Sequence, residues 1–136
     1  MRKIIILLLV LLSITLTGCS AGAASGDAAN TLNVEMNEFT FNPTNYTIPA
    51  GQKITLKIKN SGDIAHDFII LKKGVMIKGS FDHEKQMDDM YFHVMLDPGK
   101  SGEFTFTAPA EPGDYQIICG VLGHFQAGMI ASLTVK

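Results

Sequence analysis

The chain has 136 residues, the length of one domain, and a formal net charge of −2 at pH 7. That balance excludes a strongly basic nucleic-acid binder. It has two cysteines, Cys19 and Cys119, in very different settings.

At the N-terminus, Arg2 and Lys3 precede an unbroken apolar run from Ile4 to Leu12, followed by Ser13-Ile14-Thr15-Leu16-Thr17-Gly18-Cys19. A short basic region, a short apolar region and small residues before a break describe an export signal over residues 1–18. The run is too short to span a bilayer comfortably. Leu16-Thr17-Gly18-Cys19 resembles the bacterial lipobox, after which the leader is cut and the cysteine is lipidated. The expected product is exported and lipid-anchored, on the outer face of the cell membrane or in the periplasm. Two of the 11 basic residues leave with the leader, so nine face 13 acidic ones in a mildly acidic mature chain. If Cys19 carries lipid, Cys119 is the one thiol left in an exported protein, and no intramolecular disulfide can form. Taken alone, such a thiol is as readily a buried, inert small hydrophobe or half of an intermolecular disulfide as a functional group.

Residues 19–31 form the lipidated cysteine and a tether. Ser20 to Asn30 is small, polar and free of hydrophobic anchors, and eleven such residues span roughly 18 Å as a flexible chain. The domain proper occupies residues 32–136 and reads as short strands. Leu32, Val34 and Met36 alternate with polar residues, as do Ile54, Leu56 and Ile58. Phe104 and Phe106 repeat the pattern, and Met129, Ala131, Leu133 and Val135 close the chain with it. Pro49-Ala50-Gly51, Asn60-Ser61-Gly62-Asp63, Asp97-Pro98-Gly99 and Glu111-Pro112-Gly113-Asp114 supply turns. The expected fold is an all-β, antiparallel sandwich. Lys73 to Tyr91, rich in charge and methionine, fits least well and reads as an irregular excursion with a helical turn.

Cys119, His124 and Met129 form a Cys-x4-His-x4-Met run, and His66 heads an apolar strand upstream. Two imidazoles and a thiolate with a weak axial thioether are the ligands of a mononuclear electron-transfer copper site. Strand parity makes the set converge. Tyr115, Ile117 and Cys119 share a face, as do His66, Phe68 and Ile70, and Met129 shares one with Ala131, Leu133 and Val135. His124 sits in a glycine-bearing loop, so the site belongs at one pole of the sandwich.

The segments Asn60 to Phe68, Pro98 to Ser101, and Gly113 to Cys119 continuing to Gly128-Met129 resemble the small blue copper proteins, the cupredoxins. The resemblance covers Leu32 to Val135, and the ligand-loop spacing is similar to that of the auracyanins and rusticyanins. It implies a Greek-key β-sandwich of about eight strands, one type 1 copper ion, and Cu(I)/Cu(II) electron transfer rather than enzymatic turnover. Cupredoxins commonly have Asn after the first histidine; here Asp67 stands there, and its carboxylate is expected to accept the same backbone N–H bonds.

The expected function is a monomeric, membrane-anchored carrier of single electrons between donor and acceptor proteins in membrane redox complexes. The alternative is a copper carrier or chaperone serving a membrane oxidase. An open catalytic copper position is not implied, and one thiol excludes a binuclear copper centre. The electron is expected to leave by the edge of His124, through an apolar surface of Val121, Leu122, Phe125 and Ala127; the alternative for Phe125 is a lid packed inward over the copper. His83, Met87, Met90 and His93 could build a soft second copper site, but the favoured reading is methionines packed inward and histidines in solvent.

Overall fold

The computed structural model describes residues 28–136, so the leader, Cys19 and most of the tether lie outside it. Nine strands run in chain order: β1 (Thr31–Asn37), β2 (Thr40–Asn42), β3 (Asn45–Ile48), β4 (Lys53–Asn60), β5 (His66–Leu71), β6 (Met90–Leu96), β7 (Ser101–Thr107), β8 (Gly113–Ile118) and β9 (Ile130–Val135). They form a four-stranded sheet in the order β2-β1-β4-β7 and a five-stranded sheet in the order β3-β9-β8-β5-β6. Each sheet draws strands from distant parts of the chain, the interleaved connectivity of a Greek-key sandwich.

The sheets are mixed, which corrects the expectation of a purely antiparallel sandwich. β1 runs parallel to β4, pairing Leu32 with Leu56 and Val34 with Ile58, and β3 runs parallel to β9. Alternation within a strand fixes which face is buried and is silent on the direction of its neighbour. The alternating residues do face the core: Leu32, Val34, Met36, Ile54, Leu56 and Ile58 all lie in the main apolar cluster, with Ile117, Cys119, Met129 and Leu133 from the opposite sheet. Phe68 sits among them, edge-on to Phe41 with ring centroids 5.7 Å apart.

β5 breaks the alternation, because all six of its residues are buried. His66, Phe68 and Ile70 face the space between the sheets. On the other side Ile69 and Leu71 join Ile118, Ile77, Phe81 and Phe125 in a second apolar cluster. The excursion between β5 and β6 supplies Ile77 and Phe81 and so covers the outer face of the sheet. It holds one 3-10 turn, Met87–Asp89. This second layer gives Asp67, which points outward from β5, a buried position.

Candidate metal centre

Three of the expected ligands meet at one pole of the sandwich. His66 opens β5, Cys119 follows β8 directly, and His124 lies in the loop returning to β9. Their donor atoms lie within 4.8 Å of one another and all three residues are buried. The two Nδ1 atoms are 3.1 Å apart, and Cys119 Sγ is 3.3 Å from Nδ1 of His124 and 3.9 Å from Nδ1 of His66. Nitrogen and sulfur donors about 2.0–2.3 Å from a trigonal ion stand roughly 3.5–3.8 Å apart, so the observed spacings fit a copper-sized ion to within about half an ångström. Soft thiolate and borderline imidazole also suit copper chemically.

The loop geometry locks the run together. The N–H of Met129 donates to the carbonyl of His124 (3.0 Å) and the N–H of Cys119 donates to that of Met129 (3.2 Å), clipping all three residues of the motif. The loop turns on itself through the N–H of His124 to Val121 and that of Gly128 to Phe125, both 3.0 Å. Gly128 has φ 96°, a conformation that a side chain resists. Met129 is fully buried beside Cys119 in the main core.

Burial dominates the electrostatics of the set. It pushes both imidazoles below their ordinary range, with His124 adding to the effect on His66. It pushes the Cys119 thiol up to about 11, against the pull of backbone N–H groups led by that of Asp67. Without a cation the donors are held neutral; a bound copper cation makes the thiolate the favoured form. The N–H of Asp67 already points at Sγ from 3.3 Å. His66 Nε2 is buried with no hydrogen-bond partner, 3.9 Å from Glu38 Oε1. A ligating histidine commonly donates its second ring N–H to a carboxylate; Glu38 is the near carboxylate here, beyond hydrogen-bond distance in this structure. The N–H of Asp63 bonds the same oxygen and is the main cause holding the Glu38 carboxyl below its ordinary range.

Two expectations around the centre need correction. The Asp67 carboxylate does not brace the cysteine segment; its Oδ1 meets Nε2 of His93 at 2.9 Å. The Asp67 backbone N–H is what reaches the cysteine, while Asn60, a fully buried residue that the sequence presents merely as part of a turn, braces the connection leading into His66. Asn60 Nδ2 donates to the carbonyls of Ile64 (2.8 Å) and Leu96 (3.0 Å), and its Oδ1 accepts from Gly62 N–H (2.9 Å). The second correction concerns the exit. His124 is only 4% exposed, and Phe125 is buried in the second core rather than on the rim. Val121 packs partly against the main core, while Leu122 stands 87% exposed. Phe39 gives no signal in the sequence. It sits at φ 62°, unusual for a bulky residue, packs edge-on against His124 at 5.2 Å, and is 43% exposed.

Of the other four residues singled out, His83 and His93 come together with Asp67. Met90 packs against the second core and Met87 is exposed.

The family model described as "Cupredoxin-like domain" matches residues 5–131. The chain belongs to the cupredoxin family. This cupredoxin is 29% identical over 119 residues to the copper-resistant cuproprotein CopI of Rubrivivax gelatinosus, covering 82% of this chain and 71% of that protein. It is 30% identical to auracyanin-B of Chloroflexus aurantiacus, over 70% of this chain and 46% of that protein. Among solved structures, the reduced auracyanin of Roseiflexus castenholzii superposes with a TM-score of 0.65 at 28% identity, covering 80% of this chain and 98% of that one. The cupredoxin's cofactor is one type 1 copper ion.

Proposed function

We propose that this cupredoxin is a lipid-anchored, extracytoplasmic carrier of single electrons, with His66, Cys119, His124 and Met129 as copper ligands. Bound copper supplies the one-electron couple. The chain's task is to keep the donors still and dry, because electron transfer is fast when a site barely rearranges between oxidation states. The observation that carries this reading is the clipping of Cys119, His124 and Met129 by main-chain hydrogen bonds, with every proposed ligand buried. Such a site is built to retain its metal. The test is voltammetry of the copper-loaded protein together with its visible spectrum. Reversible one-electron cycling with the thiolate charge-transfer band intact is expected; irreversible loss of copper on reduction would refute it.

A copper carrier is the second reading, favoured by the name of the CopI relative as a copper-resistant cuproprotein. Challenge of the reduced protein with a strong Cu(I) chelator separates the two. Retention over many redox cycles supports electron transfer, and rapid handover supports the carrier.

For docking, Leu122 and Phe39 form an exposed apolar rim beside His124, with Phe39 in ring contact with it. A small apolar patch suits a transient redox partner, which must dissociate quickly. Leu122→Glu is expected to lower the bimolecular exchange rate with the natural partner by about 10-fold or more while sparing spectrum and stability, a substitution this exposed being structurally mild. An unchanged rate would move the docking surface elsewhere.

Anchoring rests on the lipobox-like sequence ending at Cys19. Cys19→Ala is expected to shift the protein out of the membrane fraction with copper binding intact, since stable attachment needs the two or more chains a lipidated N-terminus carries. Complete membrane retention of a processed Cys19→Ala protein would argue against lipidation.

A further inference from the structure

We propose that Asp67, His83 and His93 form a second metal site, for a divalent ion such as Zn(II) or Cu(II), on the outer face of β5 and β6. The chain has four histidines. Two belong to the copper pole. The other two come from different segments, one from the excursion and one from β6, yet their ring centroids are 4.9 Å apart. Beneath them lies Asp67, 1% exposed, with Oδ1 2.9 Å from His93 Nε2. One donor atom from each of the three residues falls within 4.8 Å of the others.

The chemistry favours a cation there. A carboxylate taken out of water is costly unless positive charge or hydrogen bonds meet it, and on β5 an apolar residue would have continued the second core. Two imidazoles and a carboxylate are a ligand set for Zn(II) or Cu(II), with a further position open to water. They make a harder donor set than the thiolate and imidazoles of the copper pole. Access and adjustment are both provided: His93 is exposed, and His83 is half-buried on a loop, with Phe81 edge-on at 6.0 Å as an apolar wall.

Position gives this site its interest. Strand alternation points His66 into the sandwich and the next residue, Asp67, out of it. Asp67 also donates its backbone N–H to Cys119 Sγ. One residue thus touches both centres from opposite faces of a sheet. A cation held on its carboxylate places positive charge near the thiolate, which favours the reduced state of the first centre and raises its potential. The coupling rests on the proposed copper ligation at the pole; the second site does not.

Zinc is the probe, because it is colourless and leaves the visible band to report on the first centre alone. Copper-loaded protein titrated with Zn(II) in a calorimeter is expected to take up one zinc per chain with the band retained. His83→Ala and His93→Gln should each weaken that uptake by at least about 10-fold, since even outer-shell partners of a metal cost about 10–100-fold. His83 lies in the irregular excursion and belongs to neither apolar cluster, so its removal should leave folding intact, and far-UV circular dichroism checks this. No zinc uptake, or uptake indifferent to both variants, would overturn the site and leave Asp67–His93 as a simple carboxylate–imidazole pair. Dependence on His83 is also measurable in protein without copper, so failure of the copper reading would not be mistaken for failure of this one. Zinc should raise the reduction potential of the parent and leave that of His83→Ala unmoved; an unmoved parent would overturn the coupling.

Discussion

Cys119→Ser is expected to abolish the intense visible charge-transfer band of the oxidised, copper-loaded protein and to lower copper affinity by at least about 100-fold, beyond the 10–100-fold typical of losing an outer-shell partner. Cys119 is fully buried at the end of β8, its sulfur 3.3 Å from Nδ1 of His124 and facing the N–H of Asp67. Serine places a hard, protonated oxygen where the site offers a soft donor that a cation converts to thiolate. It can still accept the Asp67 N–H, so the apo-protein should unfold within about 1 kcal/mol of the parent, the worth of a typical hydrogen bond. The contrast is Met129→Leu, which fills nearly the same volume. It should keep copper and colour while raising the reduction potential, because the weak axial thioether helps Cu(II) more than Cu(I). Blue or green colour surviving in Cys119→Ser would remove Cys119 from the ligand set. A potential unmoved by Met129→Leu would leave Met129 as packing alone.

The strands that read most clearly in the sequence are those with one wet face and one dry face. β1, β4 and β9 alternate, and their apolar residues lie where parity puts them. The same parity brings His66 and Cys119 to one pole, since residues two apart on a strand must share a face. Three kinds of feature escaped it. β5 is buried on both sides, so period-two reading assigns only half of its contacts; the cover comes from an irregular segment with no period of its own. Strand direction is a second: the parallel pairing of β1 with β4 is decided by chain crossovers that no local pattern encodes. The third is the support around the centre. Phe39 lies in a short β-turn far upstream of the motif and reaches His124 only through tertiary packing. Asp67 is legible as an unusual charged residue beside a proposed ligand, but its partner His93 lies 26 positions away on a strand whose alternation marks it only as outward-facing.

Asn60→Ala is expected to destabilise the domain by about 2–4 kcal/mol, lowering the midpoint of thermal unfolding by on the order of 10 °C in the apo-protein. The side chain has no exposure and makes three hydrogen bonds to main chain. Two of them, to Gly62 and Ile64, fold the connection between β4 and β5 back on itself. The third reaches Leu96 at the end of β6, the residue paired with His66 across the sheet. Alanine removes all three partners and leaves one N–H and two carbonyls with lost bonds in a region that admits little water. Leaving such groups unmet costs about 1–3 kcal/mol each before relaxation. The segment released is the one that delivers His66, so copper affinity should fall together with stability. Asn60→Asp separates the contributions: it keeps the acceptor for Gly62 and loses both donated bonds, introducing a carboxylate opposite two carbonyls. It should therefore be no more stable than Asn60→Ala at neutral pH. Thermal unfolding of the two apo-variants decides the matter. Midpoints within a degree or two of the parent would mean that the connection holds His66 in place without the Asn60 side chain, through the backbone bonds of Asn60 to Lys100 and Ser61 to Met36 alone.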